Sequence, residues 1–293
     1  MTEVEALERA ARLACWRGPV TPEPLAGGIT NRNYLVRDRG ERFVVRIGAD
    51  IPVHQIMRAN ELAASRAAAA AGISPEVMHH EHGALVLRFV EGRTLTPEAI
   101  RHRSMLERIL PLLHRCHREL ERHLRGPAQM FWVFHVLSDY GATLRDGGSR
   151  FLPELSRLLE AATQLRAAIG PIDVVFCHND LLAANFIDAG DRLWLIDWDY
   201  AGFNSPLFDL ANLSSNNELS EAEEAWLLEA YFERPLSPQL KRHYRAMKCA
   251  SLLREAMWGM VSEIHSSLDV DYAAYARDYL ARFERSLVEF RQS

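Results

Sequence analysis

Residues 174–209 contain three polar side chains whose types and spacing could do chemistry: Asp180, Asn185 and Asp197. An ionised carboxylate accepts hydrogen bonds and donates none, so Asp180 can take a proton from a hydroxyl or orient its oxygen. Asn185 and Asp197 add an amide oxygen and a second carboxylate. These are hard oxygen ligands of the kind Mg²⁺ takes, with substrate phosphates completing its octahedron. A base next to a metal-held phosphate is the equipment for phosphoryl transfer.

Such residues need rigid supports, and the flanking pattern predicts them. Residues 174–177 form a β-branched and aromatic run, expected to be a buried strand that leads into the polar turn His178-Asn179-Asp180. Phe186-Ile187, the turn Asp188-Ala189-Gly190-Asp191 and the apolar run 192–196 predict a hairpin, with Asp197 just past its second strand. Asp and Asn are frequent turn residues, so His-x-Asp followed by Asn is a weak signal alone. Its junction with the hairpin and with Ile196-Asp197-Trp198-Asp199-Tyr200 makes it specific.

Together with Phe208-Asp209, which follows a Tyr-x-Gly turn, these motifs resemble the choline/ethanolamine kinase family, in the aminoglycoside-phosphotransferase branch of the protein-kinase-like fold. The resemblance implies an α+β, bilobal fold. A small antiparallel-sheet lobe would span residues 1–91 and a larger, mainly helical lobe residues 92–293. It also implies ATP and Mg²⁺ as cofactors, Asp180 as catalytic base, Asn185 and Asp197 as metal ligands, and Asp209 as a brace for the catalytic loop. The expected acceptor is the hydroxyl of choline or a similar amino alcohol.

Composition agrees with a soluble enzyme. The 293 residues can build one large core or two lobes, and 48% hydrophobic with 25% charged residues is ordinary for a soluble chain. A net charge of −5 offers no basic footprint for nucleic acid. The four cysteines lack metal-ligand spacing, no leader-like segment opens the chain, and no apolar run reaches membrane-spanning length, so a cytoplasmic location is expected.

In chain order, residues 2–16 show helical periodicity ended by Gly18-Pro19. The run 25–36, containing Gly-Gly-Ile-Thr-Asn-Arg-Asn-Tyr, resembles the nucleotide-covering loop of choline and thiamine kinases. That resemblance makes Gly27, Gly28, Thr30 and Asn31 candidate ATP contacts. Arg46, near the end of a strand at 43–47, is the candidate phosphate-binding cation. Its expected partner is Glu61 in the Ala-rich helix 53–71. Residues 85–92 are expected to be the last strand of the first lobe running into a hinge, which assigns Arg88 and Val90 to the nucleotide by position alone. The histidine-rich run 78–82 is expected to be a polar surface turn and not a metal site. Helices are expected at 106–124, 151–169, 220–232 and 240–268, with a last one opening at 271, and a loop-rich connection at 126–148.

A quaternary ammonium is held by aromatic faces and carboxylates, because it cannot donate a hydrogen bond. By resemblance, Trp258 and Tyr275 are the cage candidates. Val261 stands where the family often has a second Trp, and Asn216 lies near the family's usual acid. Trp198 or Tyr200 could compensate, with core packing an equal explanation for both. The alternatives are ethanolamine, thiamine or an aminoglycoside as acceptor, or a nucleotide-binding pseudokinase scaffold.

Overall fold

A computed structural model describes residues 2–25, 31–266, 268 and 270–292. Helix α1 (Glu3–Ala11) starts with a reciprocal capping box between Thr2 and Glu5. It ends before residue 16, where the Trp16 indole turns back to donate to the Ala10 carbonyl at 2.8 Å. Strands β1 (Glu23–Leu25), β2 (Arg32–Asp38), β3 (Glu41–Ile47), β4 (Val77–Glu81) and β5 (Ala84–Arg88) form an antiparallel sheet in the order β1-β2-β3-β5-β4.

Strand alternation divides the side chains of this sheet. Phe43, Val45 and Ile47 join Tyr34, Val36, Ala84 and Val86 beneath Ala6 and Ala10 of α1 and Leu13 just after it in one compact apolar cluster. Val44 and Arg46 therefore face the opposite side. Arg46, in register with Asn33 and Leu85, points towards helix α2 (Arg58–Ala70). Residues 78–81 correct the expected turn, because they lie in strand β4, and only His82 falls in the turn after it. Two of the imidazoles are engaged locally, with His79 Nε2 2.9 Å from Glu81 and His80 Nδ1 3.2 Å from Arg66.

The rest of the chain is mainly helical. Helices α3 (Pro97–Arg101), α4 (Arg103–Glu119), α5 (Val133–Asp146), α6 (Leu152–Ile169), α7 (Pro206–Asn217), α8 (Glu221–Phe232), α9 (Pro238–His265) and α10 (Tyr272–Arg291) surround two small antiparallel sheets. One joins β6 (Arg93–Thr94), β8 (Phe186–Asp188) and β9 (Leu193–Leu195), and the other joins β7 (Val175–Cys177) to β10 (Gly202–Asn204). From Ala246 to Ser262, α9 is buried on nearly all sides, as expected of a helix through the middle of a core. Helix α5 corrects the expected loop at 126–148. Its Gly141 conceals it in sequence but serves packing, since a Cβ there would lie 3.0 Å from Leu159 of α6.

Helix α2 belongs by packing to the helical body. Ala64, Ala67 and Ala68 join the large apolar cluster that includes α4 to α10, while the sheet and α1 form their own. The connection before α2 is tied to the same body. His54 Nδ1 lies 3.2 Å from the Tyr140 hydroxyl and Nε2 3.0 Å from Ser262 Oγ, and Gln55 donates to Asp139 at 3.2 Å. Asn60 donates to the Ala201 carbonyl at 2.7 Å and accepts from the Gln129 amide. No helix among the described residues is long and apolar enough to cross a membrane.

Candidate active site

Strand β7 leads directly into His178-Asn179-Asp180, and a buried polar frame sets that turn. Asp209, in the first turn of α7, accepts the backbone N–H groups of His178 at 2.8 Å and Asn179 at 2.7 Å, and pairs with His117 Nε2 at 3.0 Å. These contacts use both carboxylate oxygens, so the cluster of Cys116, His117 and Asp209 is a brace in place of a metal centre. Asn179, at φ 66°, donates to the Tyr200 and Gly202 carbonyls and accepts from Asn204. His178 donates from Nε2 to the Ile196 carbonyl, and its Nδ1 accepts the Asp180 N–H at 3.3 Å. Burial lowers its pKa, which favours the neutral ring that this pattern requires.

The frame presents Asp180 to the cleft with Asn185 beside it. Asn185 Nδ2 donates to the Asp180 carbonyl at 2.7 Å and lies 3.4 Å from its carboxylate. Ile196 N–H donates to the Asn185 carbonyl, joining the loop to the end of β9. Asp197 follows at φ 67°, a left-handed conformation uncommon outside glycine, with its side chain about 26% exposed. Burial and the neighbouring Glu255 push the Asp180 carboxyl well above the ordinary carboxylate range, with Arg254 opposing them.

Arg46 crosses from the sheet to this end of the cleft. Its Nε lies 3.0 Å from Glu61, and its Nη2 lies 2.7 Å from Asp197 and 3.0 Å from Asp199. Burial disfavours the guanidinium charge, but Asp197, Glu61 and Asp199 more than offset this and hold its pKa above normal. Sequence reasoning missed two members of the network. Arg58 Nη1 bridges Glu61 at 2.7 Å and Asp199 at 2.9 Å. The available signals were the helical i,i+3 spacing of Arg58 and Glu61 and the second acid of the 196–200 segment. Asn31 donates to Asp199 at 3.2 Å, while Gly27, Gly28 and Thr30 lie outside the described residues.

The Arg88 assignment needs correction. Arg88 pairs with Phe43 in register, so its side chain faces away from the cleft, where it meets Glu41 and Glu76. Its N–H donates to Glu76 and that of Phe89 to Arg42, with half-buried Val90 next in the chain.

Beyond Asp180 lies a cavity of about 170 Å³ lined by Asn185, Asp197, Asp199, Tyr200, Arg254, Glu255, Trp258 and Tyr275, among others. Trp258 and Tyr275 meet edge to face with centroids 5.5 Å apart, and Trp258 Nε1 donates to the Tyr200 hydroxyl at 2.8 Å. Gly259 allows this approach, because a Cβ there would lie 2.8 Å from the Tyr275 ring. Trp198 and Asn216 do not line the cavity. Trp198 is buried against His178 and donates to Ser74 Oγ, supporting the catalytic turn from behind. Asn216 is buried on α7, whose Asn212 and Asn217 bond to the Leu181 backbone behind that turn. Arg254 and Glu255 were missed because adjacent opposite charges on a long helix resemble a solvated face.

Residues 21–248 match the model of the phosphotransferase enzyme family. The chain belongs to that family. This phosphotransferase is 27% identical over 258 residues to Protein LicA of Haemophilus influenzae, covering 85% of this chain and 75% of that protein. It is 27% identical over 278 residues to mouse ethanolamine kinase 2, covering 85% and 71%. A solved choline/ethanolamine kinase family protein from Mesorhizobium loti superposes with a TM-score of 0.78 and 29% identity over 100% of both chains.

Proposed function

We propose that this phosphotransferase moves the γ-phosphoryl group of ATP to the hydroxyl of a small amino alcohol, choline or ethanolamine. The observation that carries the reading is one cavity in which Asp180 faces an aromatic wall, with more acids than bases in its lining. Asp180 has its pKa raised by burial and by Glu255, so a cationic alcohol bound beside the two would favour their ionised forms. The similarity to Protein LicA and ethanolamine kinase 2 favours the same acceptor class.

In this reading Asp180 orients the acceptor hydroxyl for in-line attack and takes its proton as the new O–P bond forms and the bond from the γ-phosphorus to the bridging oxygen breaks, releasing ADP. The donor set fits a hard cation: Asn185 Oδ1 and the Asp197 carboxylate would hold Mg²⁺, and no sulfur or imidazole intrudes. The bound ion would neutralise phosphate charge. Arg46 would meet the phosphates and Asn31 would border them, while the Phe89–Val90 backbone would flank the base. Residues 1–91 would then supply most of the nucleotide contacts and residues 92–293 the acceptor pocket. The four cysteines are unpaired, which supports a reducing compartment and a cytoplasmic location.

The test is Mg²⁺-dependent ADP release with choline, ethanolamine, thiamine and kanamycin as separate acceptors. Choline or ethanolamine should stimulate release, and Asp180→Ala should abolish that stimulation. Stimulation by thiamine or kanamycin alone would overturn the acceptor. Tight ATP binding with no turnover on any of them would revive the scaffold alternative.

A further inference from the structure

Four acids line the acceptor cavity, and three are already committed. Asp197 and Asp199 are held by Arg46 and Arg58 at the phosphate end, and Asp180 belongs to the hydroxyl. Glu255 remains. It precedes Trp258 by three residues, a spacing that puts both on one face of α9. Its Oε2 accepts the Tyr275 hydroxyl at 3.0 Å and its Oε1 accepts Arg254 Nη1. The Tyr275 phenol that walls the cavity thus also aims the carboxylate.

Arg254 is an expensive way to hold an acid. It is 1% exposed, lies 4.2 Å over the Tyr200 ring and sits 4.0 Å from Asp180. Only Nη1 reaches a carboxylate, while Nε and Nη2 are buried without a partner. A buried guanidinium with most of its donors unused costs folding free energy, and an apolar side chain would pack there at less cost. Its geometry instead serves the cavity, fixing Glu255 on one side and facing Asp180 on the other.

We propose that Glu255 is the specificity-determining residue of the acceptor pocket: it receives the cationic head of the acceptor, with Arg254 and Tyr275 as its positioning residues. This rests on the amino-alcohol reading above and adds the residue that distinguishes a cationic alcohol from a neutral one. A carboxylate offers about four lone-pair sites, and two are filled. The others accept N–H groups from a primary ammonium, whereas a quaternary head gains only charge attraction and the Trp258 and Tyr275 faces. Glu255 therefore contributes more to ethanolamine than to choline.

The experiment compares each cation with its neutral isostere, ethanolamine against 1-propanol and choline against 3,3-dimethyl-1-butanol, in the wild-type protein and in Glu255→Gln. Gln keeps the shape and can still accept from Arg254. The preference for cation over isostere should fall roughly 10- to 100-fold for ethanolamine and less for choline, through KM more than kcat. Equal losses on cationic and neutral acceptors would reduce Glu255 to a structural residue and overturn the proposal. A wild-type preference that survives in Glu255→Gln would overturn this assignment alone. A wild-type protein with no preference for the cation would overturn the amino-alcohol reading itself. If Glu255→Gln fails to give a cooperative melt, Glu255→Asp keeps the charge and shortens its reach. It should raise KM for the cations while their preference over the isosteres stays above tenfold, and a complete loss of preference there would count against the proposal.

Discussion

At the proposed phosphate end of the cleft, two guanidinium groups and three carboxylates interlock at 2.7–3.0 Å, and each of those side chains except Asp197 has at least two oppositely charged neighbours. At the acceptor end a single guanidinium reaches one acid directly and a second only at 4.0 Å, against walls of Trp258, Tyr275 and Tyr200. In the proposed reaction the contrast follows from what each end would hold. Phosphates carry several charges in a fixed arrangement, so an over-determined ionic lattice keeps its dipoles in place during transfer. A small organic cation carries one charge on an apolar body, so aromatic surface and one well-aimed acid suffice. In that reading the first end is the general part of the machine and the second the selective part.

The largest effect should come where the two ends meet. Asp180→Asn removes the base without changing the shape, and kcat should fall roughly 10²- to 10⁴-fold while ATP affinity, measured by calorimetry, changes little. Residual turnover within tenfold of wild type would show that the base lies elsewhere. Arg46→Met breaks the ionic end by leaving three acids to Arg58. It should cost on the order of 3–5 kcal/mol in denaturant unfolding, because an uncompensated buried charge remains. Trp258→Leu breaks the aromatic end, where KM for the acceptor should rise roughly 30-fold and KM for ATP should hold. A parallel rise in both would mean that the two ends are not separable.

The smallest effect should appear with pH. Asp209 has its pKa lowered: burial acts to raise it, but the hydrogen bond and charge of His117 and the His178 contacts prevail. A carboxyl depressed on folding contributes stability above its unfolded value of about 3.9 and loses it as pH falls through the lower native value. Melting temperatures should therefore drop below about pH 4. In Asp209→Asn this portion of the acid limb should be missing, and an unchanged limb would show that the brace is electrostatically idle.

The same contrast explains what was legible in the sequence. Asp180, Asn185 and Asp197 lie within 18 residues, on a loop and hairpin whose turn chemistry announces them, and all three line one cavity. Arg46 and Glu61 meet as expected, because a strand end and the following helix are neighbours in any compact arrangement. Arg58 and Asp199 were hidden by being ordinary: a charge on a helix start and a second acid in a polar turn have many bland explanations. The acceptor end draws on Tyr200, α9 and α10, elements whose side-by-side packing no local pattern encodes, so Trp258 and Tyr275 came from resemblance and Glu255 not at all. Trp198 stood equally for cavity or core, because an aromatic beside an acid looks the same in sequence whichever way it faces, and the structure places it in the core.

The anchoring of α2 to the helical body has a consequence for motion. The sheet and α1 share one apolar cluster, whereas α2 shares the other and is pinned through His54, Gln55 and Asn60. A displacement of the sheet against the helical body would carry Arg46 away from Glu61, so the guanidinium would have to leave its ring of acids and re-enter it, and the pair would act as a latch on that movement.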